Sequence, residues 1–128
     1  MWVITIDRLC KRYDDNEVLK NISLSFEAGQ IIGYTGPNGA GKSTTIKILT
    51  GIIGDFEGQV TVLGIDERTD SLPIKQKIGD IPENAALYDV LTPVEYLNFV
   101  GRLYGMPQVS INKKSTELLQ LFDLGSKT

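Results

Sequence analysis

The sequence predicts an α/β fold with a mixed sheet, and three patterns in its 128 residues predict it. Ile22, Leu24 and Phe26 alternate with polar residues, which is the period of a half-buried strand. A short apolar run over residues 31–35 leads into a glycine-rich stretch and then a helical candidate. In the last third of the chain, apolar residues recur at helical spacing. The length suits one domain and allows a buried core.

The composition excludes several classes of function. The net charge is −3 and the 13 lysines and arginines are scattered, so the chain lacks the clustered positive charge of a nucleic-acid-binding face. It has one cysteine, Cys10, and no histidine, which nearly excludes a zinc site and excludes histidine-based nucleophile chemistry. No apolar run approaches the roughly 20 residues of a membrane helix, and the first residues do not resemble a signal peptide.

The elements before the glycine-rich stretch are predicted from local composition. Val3–Ile6 is rich in strand formers and indicates a first strand, whereas the polar Lys11–Glu17 indicates a loop. Ile22–Phe26 is the second strand, and Ala28–Gln30 reads as a tight turn. Ile31–Thr35 is then predicted to be a buried strand, because a short continuous apolar run is typical of strands covered on both faces.

Gly36–Thr44 matches the phosphate-binding P-loop pattern G-x-x-x-x-G-K-S/T, placed between a predicted strand and a predicted helix, Lys42–Leu49. Glycines let backbone N–H groups turn toward a polyphosphate, and the helix presents unpaired N–H groups to the same anion. Lys42 is predicted to reach the β- and γ-phosphates, Ser43 to ligate Mg²⁺, and Thr44 to lie near the α-phosphate. The backbone donors of the loop are predicted to come from Asn38, Gly39, Ala40 and Gly41.

Shorter elements follow the P-loop helix. Gly51 and Gly54 end that helix, and Val60–Leu63 indicates a strand. Ser71–Lys77 indicates a short helix, and Ile78–Ile81 a further strand stopped by a proline.

Two helices are predicted at the C-terminal end. Thr92 fits an N-cap, Pro93 the first helical position and Glu95 the third residue of a capping box. The helix that they start ends at Gly105, and a second helix is predicted over Ser110–Phe122.

The loop sequence GPNGAGKST resembles that of ATP-binding cassette (ABC) ATPases, and the resemblance covers nearly the whole chain. It implies that Tyr13 stacks on adenine and that Val18 forms an apolar edge of the base pocket. Glu83 matches the Q-loop position, where the family usually has a glutamine that touches Mg²⁺ and the attacking water. The resemblance therefore makes Glu83 a candidate catalytic residue and Mg²⁺ ligand beside Lys42, and its Pro-Glu pair is similar to export-type members. Asp66 is interpreted as a turn residue.

The resemblance also implies a domain organisation and partners. Residues 1–82 would be a partial nucleotide-binding core, and residues 83–128 a Q-loop-like linker and the start of the helical subdomain. The cofactors would be ATP and Mg²⁺. The partners would be a membrane-spanning permease and a second ATPase subunit, at the cytoplasmic face of the cell membrane. The family's LSGGQ signature, Walker B strand, catalytic Glu and switch His do not occur in the 128 residues. We therefore expect an incomplete domain that binds nucleotide without appreciable turnover.

Two other classes stay open. Another P-loop enzyme would need further motifs: a GTPase needs N-K-x-D, which is not in the sequence, and a kinase needs clustered arginines at an acceptor site. A non-catalytic module would fold its P-loop and bind no nucleotide. Titration with Mg-ATP and Mg-GTP would distinguish these classes.

Overall fold

A long antiparallel hairpin forms the N-terminal part of the chain. In the computed structural model, which describes residues 1–37, 41–84 and 87–125, strands β1 (Trp2–Tyr13) and β2 (Asn16–Glu27) pair from end to end. The loop predicted over Lys11–Glu17 is therefore wrong, because only the turn at Asp14 and Asp15 interrupts the strands. Polar residues fit a strand here because Arg12 pairs with Glu17 on an exposed part of the hairpin.

The sheet has four strands in the order β2-β1-β3-β4, with β3 at Glu57–Val62 and β4 at Ile65–Asp66. The α/β class is confirmed, and every strand pair in the described parts of the chain is antiparallel. Gly58 has a φ of +96°, and a Cβ there would lie 2.3 Å from the Arg8 carbonyl oxygen. This close approach of β3 to β1 therefore requires a glycine.

Two predicted strands do not form. Residues 31–37 have no regular secondary structure, and Ile31 is fully exposed. Residues 78–81 are also irregular, and the side chain of Ile81 is exposed. Apolar composition stabilises a strand only when neighbouring strands supply hydrogen bonds and cover its faces. No described strand pairs with either segment, so both predictions of a strand are wrong.

The core of this part of the molecule lies between the sheet and two helices, α1 (Lys42–Leu49) and α2 (Ser71–Lys75). Ile48 of α1 and Ile74 of α2 are fully buried, each worth about 1.5–3 kcal/mol in burial of apolar surface. The buried core residues are Ile6, Leu9, Leu19, Ile48, Phe56, Val60, Val62 and Ile74.

The C-terminal part consists of two helices, α3 (Pro93–Leu103) and α4 (Gln108–Leu121), which contact each other. The predicted capping box is present: the Thr92 hydroxyl accepts from the Glu95 N–H at 3.3 Å, and the Glu95 carboxylate accepts from the Thr92 N–H at 2.8 Å. α4 begins two residues before the predicted Ser110, directly after the proline that precedes it.

The chain divides into two units, Met1–Asp80 and Ile81–Thr128. None of the helices in the described ranges is both long and apolar enough to cross a membrane.

Candidate functional site

Gly41 begins helix α1 in a conformation that only glycine adopts readily. Its φ is +85°, and a Cβ at this position would lie 2.5 Å from Leu19 Cδ2 and 3.0 Å from the Val18 carbonyl oxygen. Strand β2 thus lies directly against the first turn of α1. The second glycine of the P-loop pattern is required here by both backbone conformation and space.

The ammonium group of Lys42 turns back onto the loop. Its Nζ donates a hydrogen bond to the carbonyl oxygen of Gly36, so the side chain spans the loop from its last residues to its first. A lysine ammonium carries three donors, and this contact uses one of them. Lys42 is also the first residue of α1, at the end of the helix where unpaired N–H groups attract anions.

A buried threonine side chain is hydrogen-bonded to the backbone at the start of α1. Thr45 Oγ1 donates to the Gly41 carbonyl oxygen at 3.0 Å, and the Tyr34 hydroxyl lies 3.3 Å from the same Oγ1. Sequence reasoning assigned no role to Tyr34 or Thr45. The available signal was the position of Thr45 four residues after Gly41, the spacing at which threonine hydroxyls bond backbone carbonyls in helices.

The other predicted phosphate-loop residues fall into two groups. Ser43 is exposed and Thr44 half-buried, both in the first turn of α1. The backbone donors predicted at Asn38, Gly39 and Ala40 lie outside the described residues.

The residues present fit Mg²⁺ only together with a nucleotide. Among the residues that the structure describes, no three histidines, cysteines or carboxylates lie close enough together to hold a metal ion. Mg²⁺ usually takes one or two protein ligands plus phosphate oxygens and water. The exposed hydroxyl of Ser43 could supply one such ligand.

The two predicted base-pocket residues lie on the hairpin. Val18 precedes Leu19 in β2, and its carbonyl oxygen faces Gly41, so the structure brings Val18 to the start of α1. Tyr13 is the last residue of β1, with 47% of its surface exposed. The ammonium of Lys11 lies 4.9 Å from the centre of the Tyr13 ring.

The acidic residues Asp66 and Glu83 lie in different surroundings. The Asp66 carboxylate accepts a hydrogen bond from the Arg68 N–H at 2.9 Å, which is the geometry of a turn residue. Glu83 is exposed, in a turn of the second unit. The phosphate loop belongs to the first unit, and the role of Glu83 stays a prediction.

Gly41, Lys42 and Ser43 occupy the positions of the P-loop pattern at the start of a helix that lies against an antiparallel sheet, which is an arrangement typical of P-loop proteins. The chain belongs to the ABC transporter family, whose model matches residues 19–127.

The relatives of the chain are ABC ATP-binding proteins. The chain is 37% identical over 122 residues to the linearmycin resistance ATP-binding protein LnrL of Bacillus subtilis (strain 168), covering 95% of this chain and 39% of that protein. It is 35% identical over 127 residues to ATP-binding cassette sub-family A member 2 of Homo sapiens, covering 98% of this chain and 5% of that protein. A solved structure of the ATP binding subunit of an ABC transporter superimposes with a TM-score of 0.85 and 28% identity, covering 95% of this chain and 51% of that one. The chain thus spans about half the length of this structure, and less of these curated relatives.

Proposed function

We propose that this chain is the ATP-binding part of an ABC transporter ATPase, which couples ATP hydrolysis to transport across a membrane. The observation that carries the proposal is the geometry at the start of α1. Gly41 is fixed in the left-handed region against Leu19, and the Lys42 ammonium is turned back onto the Gly36 carbonyl. This arrangement puts a cation at a helix N-terminus.

In the proposed site, the triphosphate of ATP lies at the N-terminal end of α1. Lys42 exchanges its bond to the Gly36 oxygen for bonds to the β- and γ-phosphates, where its charge offsets the charge that develops during phosphoryl transfer. The Ser43 hydroxyl would hold Mg²⁺, which would offset part of the negative charge of the triphosphate. Thr45 and Tyr34 fix the Gly41 carbonyl and so keep the first turn in place.

The base is proposed to stack on Tyr13 and to contact Val18. Stacking of a base on an aromatic side chain contributes about 1–3 kcal/mol in single-stranded nucleic-acid systems. Both residues are partly exposed on one hairpin, and Val18 adjoins the phosphate loop.

Glu83 is proposed to act as a carboxylate version of the Q-loop residue, as a catalytic group and Mg²⁺ ligand. Its side chain is exposed and carries a carboxylate, a group that ligates Mg²⁺. If this is right, Glu83→Ala weakens ATP binding in Mg²⁺ and leaves ATP binding in EDTA unchanged. Equal affinities of wild type and variant in Mg²⁺ would contradict the role.

The proposed partners are a membrane-spanning permease and a second ATPase subunit, and the proposed location is the cytoplasmic face of the membrane. Support comes from the family and from the solved structure, which is described as an ATP binding subunit of an ABC transporter. The word resistance in the name of the Bacillus subtilis relative favours export.

Calorimetric titration of the 128-residue chain tests the proposal. Wild type is expected to bind Mg-ATP, and Lys42→Ala to bind it about ten- to a hundred-fold more weakly, because each charge-assisted bond contributes about 1.5–3 kcal/mol. Lys47, an exposed lysine in the last turn of α1, provides the matched control, and Lys47→Ala should bind like wild type. Preference for Mg-GTP would favour another P-loop enzyme, and binding of neither nucleotide would favour a non-catalytic module.

A further inference from the structure

Lys11 is a buried lysine whose position the core does not explain. Its side chain is 7% exposed, and lysine is almost never buried unless it is paired. Its Nζ donates to the Asp55 carboxylate at 3.1 Å, but the Asp55 side chain is fully exposed. An ion pair with one fully solvated partner contributes little stability. An apolar residue at this position would bury the same stem without removing a charge from water.

The ammonium of Lys11 has a second contact, with an aromatic ring. Lys11 and Tyr13 are two residues apart in β1, so their side chains project from the same face of the strand. The 4.9 Å between Nζ and the ring centre is within the roughly 6 Å range of cation–π attraction. Since the Tyr13 side chain is 47% exposed, the ring keeps surface that is open to a ligand.

We propose that Lys11 is a positioning residue for Tyr13, holding one face of the ring so that the opposite face receives the adenine base. This inference rests on the proposed function. Burial of the Lys11 side chain, together with its 3.1 Å contact with Asp55, holds the ammonium near the ring, and the ammonium in turn restrains the ring.

Two physical effects favour base stacking in this arrangement. A side chain that is already restrained loses less conformational entropy when a ligand orders it, and that loss is otherwise about 0.5–1.5 kcal/mol for a flexible side chain. The faces of aromatic rings carry partial negative charge, so stacked rings repel one another electrostatically. A cation on the far face draws electron density toward itself and reduces that repulsion at the face toward the base.

The test compares a ligand that has a base with one that has none. The affinities of the 128-residue chain for Mg-ATP and for Mg-tripolyphosphate are measured by calorimetry, for wild type, Lys11→Met and Lys11→Arg. Lys11→Met is expected to weaken ATP binding about three- to ten-fold and to leave tripolyphosphate binding unchanged. Lys11→Arg keeps a cation near the ring and should keep most of the affinity for ATP.

Repeating the measurement in a Tyr13→Leu variant distinguishes positioning of the ring by Lys11 from a structural role of Lys11. In Tyr13→Leu, the ring on which Lys11 is proposed to act is gone, so adding Lys11→Met should cause no further loss of ATP affinity. An equal loss for ATP and tripolyphosphate would overturn the inference, because it would mean a general charge or folding effect. So would a loss that persists in the Tyr13→Leu background, or no loss in Lys11→Met.

The wild-type measurements distinguish failure of the inference from failure of the proposed function. If wild type binds tripolyphosphate as tightly as ATP, the base contributes nothing: the inference is then overturned, while phosphate binding stands. If wild type binds neither ligand, the proposed function and the inference fall together.

Discussion

Glu67 is a buried carboxylate that the proposed site does not use. It is 4% exposed, and neither of its oxygens has a hydrogen-bond partner among the residues described. A Cβ on Gly51 would lie 2.6 Å from Glu67 Oε1 and 2.7 Å from Lys75 Cε, so the carboxylate and the lysine stem flank the same glycine. Burial raises the pKa of Glu67, the Lys75 charge opposes that rise, and the Asp66 charge adds to it.

The stability of the first unit should therefore depend on pH through Glu67. A raised pKa means that the folded state holds the proton more tightly than the unfolded chain. Between the ordinary value of 4.5 and the raised folded value, the free energy of unfolding falls as pH rises. The penalty is fully present above the folded pKa and absent below 4.5.

Glu67→Gln is expected to raise the free energy of unfolding at neutral pH by about 1 kcal/mol, because it removes a buried charge that lacks hydrogen bonds. The difference from wild type should shrink as pH falls well below 4.5, where Glu67 is mostly protonated in both states. Urea unfolding at several pH values measures this. The exposed Glu57 supplies the control, Glu57→Gln. A wild type more stable than Glu67→Gln at neutral pH would show that attraction to Lys75 outweighs burial.

At the residue scale, the spacing of residues in the P-loop pattern identified Gly41 and Lys42. It did not identify the side chains that hold the first turn of α1 in place. Gly41 and Lys42 were predictable because the P-loop pattern fixes residue types at fixed separations. Tyr34 and Glu67 were not, because their roles arise from contacts with residues distant in sequence or from local burial. Single-sequence patterns report neither of these.

The capping box is the element whose contribution is most directly testable. Thr92→Ala removes the hydroxyl that accepts from the Glu95 N–H, and should destabilise α3 by about 1 kcal/mol. Hydrogen exchange of the α3 amides measures this local stability. Thr116 of α4 also bonds through its hydroxyl, to the Asn112 carbonyl oxygen, but lies inside a helix. Thr116→Ala is thus a matched control that should be neutral or slightly stabilising. Equal losses in both variants would contradict a specific capping contribution.

The same box makes α3 sensitive to acid. Hydrogen bonds from the Thr92 backbone N–H and hydroxyl lower the pKa of Glu95. A lowered pKa stabilises the folded state above the unfolded value, and that contribution is lost as pH falls through the folded pKa.

The contact between α3 and α4 depends on a glycine that a helix would otherwise disfavour. A Cβ on Gly101 would lie 2.6 Å from Ile111 Cγ1 and 2.9 Å from its Cδ1. Alanine is the better helix former by about 1 kcal/mol, but overpacking costs about 1–3 kcal/mol. We therefore expect Gly101→Ala to lower the thermal stability of α3 and α4. Thermal unfolding followed by circular dichroism measures this.

Making Gly101→Ala in an Ile111→Ala variant tests whether contact with Ile111 causes the loss of thermal stability. Removing the isoleucine side chain removes the clash, so Gly101→Ala should be neutral or stabilising there. A loss of the same size in both backgrounds would mean that Gly101 acts through something other than Ile111.

At the element scale, helices and strands were predicted correctly where the residues that determine them are close together in the sequence. The start of α3 was predictable because cap, proline and Glu95 lie within four residues. The strands predicted over 31–35 and 78–81 were wrong because a strand needs partners, and no described strand pairs with either segment. The hairpin was longer than predicted because pairing of Arg12 with Glu17 outweighs their low strand propensity.

At the scale of the whole chain, the antiparallel sheet, its two helices and the α3–α4 pair correspond to part of an ABC ATP-binding subunit. The proposed phosphate contacts are all in the first unit, whereas Glu83 is in the second. Binding and hydrolysis thus place different demands on the chain. Binding needs the cradle around Lys42, and hydrolysis also needs a group that orients water and charges that surround the γ-phosphate.

The 128-residue chain is therefore expected to bind about one Mg-ATP and to release phosphate no faster in wild type than in Lys42→Ala. Phosphate release under excess ATP, measured beside the binding titration, gives both quantities on one sample. The comparison with Lys42→Ala is needed because phosphate release by a contaminating ATPase would be the same in wild type and in the variant. Repeated turnover in wild type that Lys42→Ala abolishes would contradict the prediction, because it would mean that these residues suffice to position the attacking water. Glu83→Ala would then test the role of Glu83, since loss of turnover at saturating Mg-ATP would identify Glu83 as a residue that turnover requires.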